Sequence, residues 1–399
     1  MKTRSIFYSG IVLLLCGCGL QQNAEKEKEF IPILSWYSIP AEDATPERYM
    51  EMKEAGITHN FSHLSRLEDA LKSLDLAEQA GVKVIFTCNE LEKDPEGTVE
   101  KVKNHPALAG YFLRDEPGRK DFPALGEWAR RIISRDSTHF CYLNLLPTYA
   151  SPAGYGTPTY REYVHLFIKE VPIQLLSFDA YPVVGNSLRE DWYENLEIFS
   201  DEARKAEKPF WAFALATAHD PYPVPTVAQI KLQMYSNLAY GAQGLQYFTY
   251  WNPDTTHWNF HEAPVTLLKK RSSVYDMLQE VNAELQNRAY VFMRSRVLDV
   301  FHAGDSVPEG TKPLGALPSP VVELDTHGAG AVVSLLEKEG NKYLVIVNRS
   351  FDERFPLTIR FDGKADRIRK DGSSVPADNY MPTLLVGPGE AEIFTWKSN

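Results

Sequence analysis

Cysteine is scarce, with four in 399 residues, and two of these, Cys16 and Cys18, lie near the N-terminus. The other two, Cys88 and Cys141, each fall within or at the end of an apolar run and read as small buried thiols. There is no Cys-x-x-Cys pair and no His-Glu-x-x-His, so no metal site is expected. Basic charge is also short. Against 53 Asp and Glu there are 42 Lys and Arg, a net charge of −11, which excludes a chain built to lie along nucleic acid. No glycine-rich phosphate loop follows the first strand-like run, which disfavours an open doubly wound sheet. No serine elbow or cysteine–histidine pairing appears, and nothing in the pattern asks for a cofactor. Internal repeats are absent.

What the sequence holds in quantity is apolar and aromatic residues. It is 44% hydrophobic, with 20 Tyr, 20 Phe and 7 Trp. That is enough for a large core, and the length suits two domains or one large barrel with an appendage. Aromatic faces also stack on sugar rings.

The N-terminus reads as a leader. Lys2 and Arg4 precede the apolar run Ile11 to Leu15, and small residues follow. That run is too short to span a bilayer as a folded helix. Leu15-Cys16-Gly17-Cys18 resembles the lipobox of bacterial lipoproteins. The resemblance implies a signal peptide over residues 1–18, cleaved before Cys18, and acylation of the Cys18 thiol. The lipid would then hold the protein at a bacterial membrane, either at the outer membrane or facing the periplasm. The polar stretch 19–29 reads as a flexible tether.

From Phe30 onward apolar strand-like runs alternate with amphipathic stretches. The runs are Ile31–Ile39, Ile57–Leu64, Val82–Cys88, Leu108–Leu113, Phe140–Leu146, Gln174–Phe178, Pro209–Ala218 and Gly244–Trp251. Helices are expected between them. One starts at Thr45-Pro46, one at a Ser65-Arg66-Leu67-Glu68 capping box, one runs over Tyr160–Glu170, one over Asp191–Glu207, one over Thr226–Ala239 and a last over Leu267–Leu285. Alternation of this kind calls for parallel strands joined by crossover helices, and eight units over residues 30–296 fit a (β/α)8 barrel. After residue 297 short β-rich runs separated by Gly-Asn, Gly-Lys, Asp-Gly and Pro-Gly predict an antiparallel sandwich over residues 297–399.

In such a barrel the carboxyl ends of the strands share one mouth. The fourth run ends Leu113-Arg114-Asp115-Glu116-Pro117, and Pro117 cannot donate to a ladder, so the strand must stop there. Glu116 is the candidate general acid. A glycosidic oxygen leaves readily only once protonated, and a carboxyl can stay protonated near neutrality beside a negative neighbour such as Asp115. Arg114 is expected to hold Asp115 ionised. The partner carboxylate is expected to be Asp179, with Asp220 as its rival and Glu90 and Asp254 as weaker options. Trp36, His63, Asn89, Asp115, Asn144, Tyr181, Asp220, Tyr250 and Trp251 are the expected substrate-binding residues, with His219 also at the mouth. Asp179 and Asp220 also fit turn positions, the histidines also fit structural roles, and the rings also fit the core, though the strand-end placement of Trp36 and Trp251 favours a sugar platform.

The segment Gly110–Pro117 resembles the end of strand four in clan A glycoside hydrolases, such as β-galactosidases of glycoside hydrolase family 42. There an Asn-Glu-Pro or similar triplet carries the general acid/base glutamate, which Glu116 matches. Asp115 stands where asparagine is usual. The segments Leu176–Pro182 and Tyr247–Trp251 are similar to those of secreted barrel hydrolases of Bacteroidetes-type bacteria. The resemblance implies a glycosidase acting on a polysaccharide or oligosaccharide. One departure is plain: clan A places its nucleophilic glutamate at the end of strand seven, and Phe210–Ala218 contains no acid. The alternative is a glycan-binding protein on a barrel that has lost catalysis.

Overall fold

The computed structural model describes residues 29–398. The leader, Cys18 and nearly all of the tether lie outside the described residues. Eight parallel strands form the first sheet. They are β1 (Ile33–Trp36), β2 (His59–Asn60), β3 (Lys83–Phe86), β4 (Leu108–Asp115), β5 (Phe140–Asn144), β6 (Leu176–Phe178), β7 (Phe210–Leu215) and β8 (Gly244–Phe248). The ladder runs continuously from β5 through β1 and β8 to β6. A parallel bridge between Leu145 and Phe178, with Leu145 N–H donating to the Ser177 carbonyl at 2.8 Å, closes the ring. The fold is a (β/α)8 barrel followed by an all-β unit.

The period-two alternation of the strands sorts two cores. Leu34 and Trp36 of β1, Ile85 of β3, Tyr142 of β5 and Trp211, Phe213 and Leu215 of β7 pack together inside the barrel, with Phe61 just past β2. Their neighbours Ile33, Val84, Phe86, Cys141, Leu143, Ala212 and Ala214 face outward against the helices. Cys88 and Cys141 are buried free thiols.

Helix ends follow local chemistry in most places. Thr45 caps Pro46–Glu54, Thr226 and Gln229 form a capping box on Val227–Ala239, and Gly81 closes Leu67–Ala80 in the left-handed region. The expected capping box at Ser65 does not form. The helix starts at Leu67 after Arg66, with no side-chain cap, and the Ser65 carbonyl instead accepts from Asn89 N–H at 2.9 Å. The last barrel helix starts later than expected, at Ser273, because the Ser272 side chain caps it by accepting from Val274 N–H.

After the barrel come a six-stranded antiparallel sheet and a three-stranded one. Arg296–Ala303, an edge strand of the larger sheet, and the short strands Asp366–Ile368 and Ser374–Pro376 were not legible as apolar runs. Glu339 and Gly340, both at positive φ, make the two-residue hairpin between Ala331–Lys338 and Asn341–Asn348. Both faces of the six-stranded sheet are apolar. Val333, Leu344, Ile346 and Phe394 face the smaller sheet, while Val332, Val345, Val347 and Ile393 join the outer core of the barrel. The helix Val227–Ala239 lies beneath this sheet, which is why its residues from Gln229 to Ala239 are all buried.

Candidate active site

Three local devices shape the mouth. The first is a β-bulge in β4. Phe112 pairs with Tyr142, but Arg114 pairs with Leu143, so β4 carries one extra residue. Without it, Phe112 and Arg114 would share the inner face. With it, Asp115 follows Phe112 inward and Arg114 is exposed. The second device is the backbone of Glu116, in the left-handed region at φ 45°, with its N–H donating to the Asn144 carbonyl at 2.8 Å. A non-glycine residue there is held against a cost of about 1–3 kcal/mol, and the turn delivers the Glu116 carboxyl to the cavity. The third is a buried polar chain beneath the floor. Tyr142 donates to Gln246, Gln246 Nε2 donates to Ser177 Oγ at 2.8 Å, and Ser177 Oγ donates to Asn144 Oδ1 at 3.0 Å. Asn144 Nδ2 is thereby turned toward the acids, donating to Asp179 Oδ1 at 2.7 Å and Asp115 Oδ1 at 3.2 Å.

These groups open on a cavity of about 490 Å³. Asp115, Glu116, Asn144 and Asp179 form its floor. Trp36, Tyr37, Tyr181, Phe213 and Phe248 stand around them, and the loop after β8 adds Pro253, Asp254, His257, Trp258 and Phe260. Trp258 is 56% exposed and stands at the rim.

The floor holds its carboxyls toward the neutral form. Burial raises Asp115 to about 6, against the pull of Asn144 and the Glu116 N–H. Glu116 rises to about 7, first through burial and then through the charge of Asp115. Asp179 is also raised, by burial and then by Glu116 and Asp115, while Asn144 and the backbone N–H of Asp179 act in the opposite sense. Both Asp115 and Glu116 keep an open face to the cavity, so they exchange protons with solvent while protein atoms crowd their other sides. The charge of Glu116 is among the influences that raise Asp179, so the two do not ionise independently.

Of the expected site residues, Glu116, Asp179, Asp115, Asn144, Trp36 and Tyr181 line the cavity, as do His219 and Asp254. The others do not. His63 lies outside the lining with one face exposed, its ring centroid 4.7 Å from that of Tyr37 and 4.6 Å from that of Phe61, and the protein crowding its other face lowers it to about 4. Asn89 opens the short helix Asn89–Lys93 and is exposed away from the cavity, and Glu90 lies on the same helix. Asp220 is exposed in a loop, its N–H donating to Asn259 Oδ1 at 2.8 Å. Tyr250 is fully buried in the outer core. Trp251 lies under the Arg48 guanidinium, 5.3 Å from its centroid, and bridges to Val265. Both belong to a chain that leaves β8 at Phe248 and runs on beside Trp36 and Tyr37. No ion pair joins Arg114 to Asp115 among the described residues; Asn144 makes the contact expected of Arg114.

Sequence reasoning missed Tyr37, Phe213, Phe248, His257, Trp258 and Phe260. The stretch Asn252–Phe260 carries a signal in retrospect: aromatic, His and Asp residues packed between a strand and a helix where a plain connection would be polar. Among the described residues no group of three His, Cys, Asp or Glu side chains is placed to hold a metal ion.

The sequence matches no protein-family model and no curated protein. Solved structures do resemble it. The E323A catalytic mutant of Gan42B, a GH42 β-galactosidase from G. stearothermophilus, superimposes with a TM-score of 0.63 at 11% identity, over 92% of this chain and 98% of that one. An α-amylase from Anoxybacillus gives 0.52 at 12% identity, again over 92% and 98%. A β-galactosidase from the psychrophilic Marinomonas ef1 gives 0.49 at 11% identity, and the matched part spans 65% of this chain and 60% of that one. At such identities the first two likenesses are of fold, a glycoside hydrolase-like barrel.

Proposed function

We propose that the chain is a glycoside hydrolase that cleaves O-glycosidic bonds of an oligosaccharide or polysaccharide, with Glu116 as general acid and Asp179 as the partner carboxylate. The observation that carries this reading is that Glu116 and Asp179 both line one aromatic-walled cavity, where the charge of Glu116 helps to raise Asp179. Asp179 accepts from Asn144 Nδ2 and is also stabilised by its own backbone N–H, both of which favour the anion. Glu116 has no such donor among its influences, which favours the proton on Glu116, while burial and the charges of Glu116 and Asp115 act on Asp179 in the opposite sense. Glu116 would donate its proton to the glycosidic oxygen. Ionised Asp179 would attack the anomeric carbon or activate water, as the spacing of the pair about the bound sugar dictates. Trp36, Tyr37 and Tyr181 would hold sugar rings by stacking. If the leader is a lipoprotein signal, the enzyme works at a bacterial membrane surface through its Cys18 lipid.

A second reading, a glycan-binding protein without turnover, draws on one observation: β7 ends without an acid, and Ala216–Ala218 supply none. Glu116→Gln separates the two. Hydrolysis in a screen of aryl glycosides and polysaccharides should fall roughly 10²–10⁴-fold while glycan binding persists. Undiminished hydrolysis in that variant would remove Glu116 from the role. A wild-type protein that binds glycans but hydrolyses none would support the second reading.

A further inference from the structure

Four carboxylates, Asp115, Glu116, Asp179 and Asp254, line the cavity, and among the described residues no Lys or Arg lines it with them. Guanidinium groups close to this wall are committed elsewhere. Arg189 lies 4.0 Å over the Tyr149 ring and donates to the Tyr181 carbonyl and the Tyr222 hydroxyl, each at 3.4 Å. Arg48 bonds Glu51 at 2.6 Å and the Lys269 carbonyl at 2.7 Å. Arg114 is kept off the inner face by the β4 bulge. Of the two cavity histidines, burial holds His219 toward its neutral form. The remaining lining is mostly aromatic.

A carboxylate, sulfate or phosphate on a bound sugar is ordinarily met by a guanidinium fork or an ammonium group. Here it would lose water beside Asp254, which Thr256 holds toward its anion, and beside floor acids that turn anionic as pH rises, with no Lys or Arg in the lining to receive it, and like charges placed together disfavour binding strongly. An uncharged sugar meets none of this. Its hydroxyls donate to carboxylates, and its C–H faces lie on the rings. Resting on the reading of this cavity as a glycan site, we infer that it selects glycans whose bound unit carries no anionic group and rejects uronate, sulfated and phosphorylated units. The selection comes from what the wall withholds, and it holds whichever neutral sugar fits.

The test compares matched pairs on the Glu116→Gln protein by calorimetry: galacto-oligosaccharides against galacturono-oligosaccharides, and cello-oligosaccharides against their uronate counterparts. At low salt the anionic member of any pair that binds should bind roughly 100-fold more weakly, and the gap should narrow as salt is added. Asp254→Lys places a cation in the lining and should shrink the gap roughly tenfold. Equal or tighter binding of the anionic member, or a gap untouched by Asp254→Lys, overturns the inference, as does binding of neither member in every pair. Wild-type turnover separates this from the assignment of Glu116. Hydrolysis of uronides as fast as neutral glycosides defeats the charge selection and leaves the glycosidase reading standing. Selective binding of neutral glycans without any hydrolysis does the reverse.

Discussion

Asn144 Nδ2 stands between Asp179 Oδ1, at 2.7 Å, and Asp115 Oδ1, at 3.2 Å, so one amide group holds two acids. Its main-chain carbonyl holds the third, through Glu116 N–H at 2.8 Å. A single residue at the end of β5 therefore sets the spacing of three carboxylates that come from β4 and β6. Their mutual repulsion is endured because that residue donates to two of them and anchors the turn of the other.

Replacing Asn144 by Ala removes a donor from two carboxylates that are already raised. Each anion then loses support, so its proton leaves only at higher pH. The rising limb of the pH–rate profile, which reports ionisation of the partner carboxylate, should move upward by about one unit. Turnover at neutral pH should fall roughly 10–100-fold, the worth of a hydrogen bond to a charged group. A rate loss with the limb unmoved would mean that Asn144 does not set the charge state of Asp179.

The orientation of that amide depends on residues that never reach the cavity. Ser177 Oγ donates to Asn144 Oδ1 and accepts from Gln246 Nε2, and all of these groups are buried. Ser177→Ala leaves Asn144 Oδ1 without its donor and Gln246 Nε2 without its acceptor, at a cost of about 1–3 kcal/mol in stability. It also frees the Asn144 amide to turn its oxygen toward the acids. The pH–rate limb should move in the direction seen for Asn144→Ala, by less, with KM little changed. A variant that loses only thermal stability and keeps its pH profile would show Ser177 to be a packing residue alone.

The difference between what was and was not legible in the sequence has a physical basis. Apolar runs alternating with amphipathic stretches announced the barrel because both faces of each strand, but only one face of each helix, are buried. Strand ends were over-read. Ile57–Leu64 looked like a strand, but only His59 and Asn60 keep a ladder before the chain turns into the mouth. The acids at the ends of β4 and β6 and Asn144 at the end of β5 were legible, since the barrel converts a position at a strand end into a position at the cavity. The contact expected between Arg114 and Asp115 fails because a bulge, which no residue pattern announces, turns Asp115 inward and leaves Arg114 exposed. Tyr250 and Trp251 looked like sugar platforms because an aromatic pair after a strand reads the same whether it faces a cavity or a helix layer. The loop that carries Asp254, His257, Trp258 and Phe260 has no period, so its residue pattern does not tell where it folds back.

Arg288 joins the two parts of the chain. It is 2% exposed and donates through Nη1 to the Ala391 carbonyl at 3.1 Å and Tyr235 OH at 3.0 Å. Nη2 reaches the Ile368 carbonyl at 3.3 Å, and Nε the Arg369 carbonyl at 3.1 Å. Glu284 lies 3.6 Å away and is itself bonded by Lys231 and Tyr235. Arg288→Met keeps the volume and removes every donor, so the Ala391, Ile368 and Arg369 carbonyls each lose the bond from Arg288. The loss should be about 3 kcal/mol, read as a lower midpoint in chemical unfolding. Because the contact is remote from the cavity, kcat of the folded variant should stay near that of wild type. An unfolding midpoint equal to wild type would show that the apolar contacts of Val332, Val345 and Ile393 hold the interface without it.

Glu116 links activity to stability in a way that its substitution exposes. Its carboxyl has an ordinary value of 4.5 and is raised to about 7 in the folded protein, by burial and by Asp115. The folded chain therefore binds this proton more tightly than the unfolded chain does. The resulting contribution to stability is complete below pH 4.5 and is lost as pH climbs through 7. Glu116→Gln cannot ionise and escapes that loss. Near pH 4 the variant and wild type should unfold at similar temperatures, and at pH 8 the variant should be the more stable, by about 1 kcal/mol once the open face of the side chain is discounted for solvent screening. Melting curves at pH 4, 6 and 8 read the divergence directly. A variant that is no more stable than wild type at pH 8 would mean that Glu116 ionises as easily folded as unfolded, and such a carboxyl cannot keep the proton a glycosidic oxygen needs.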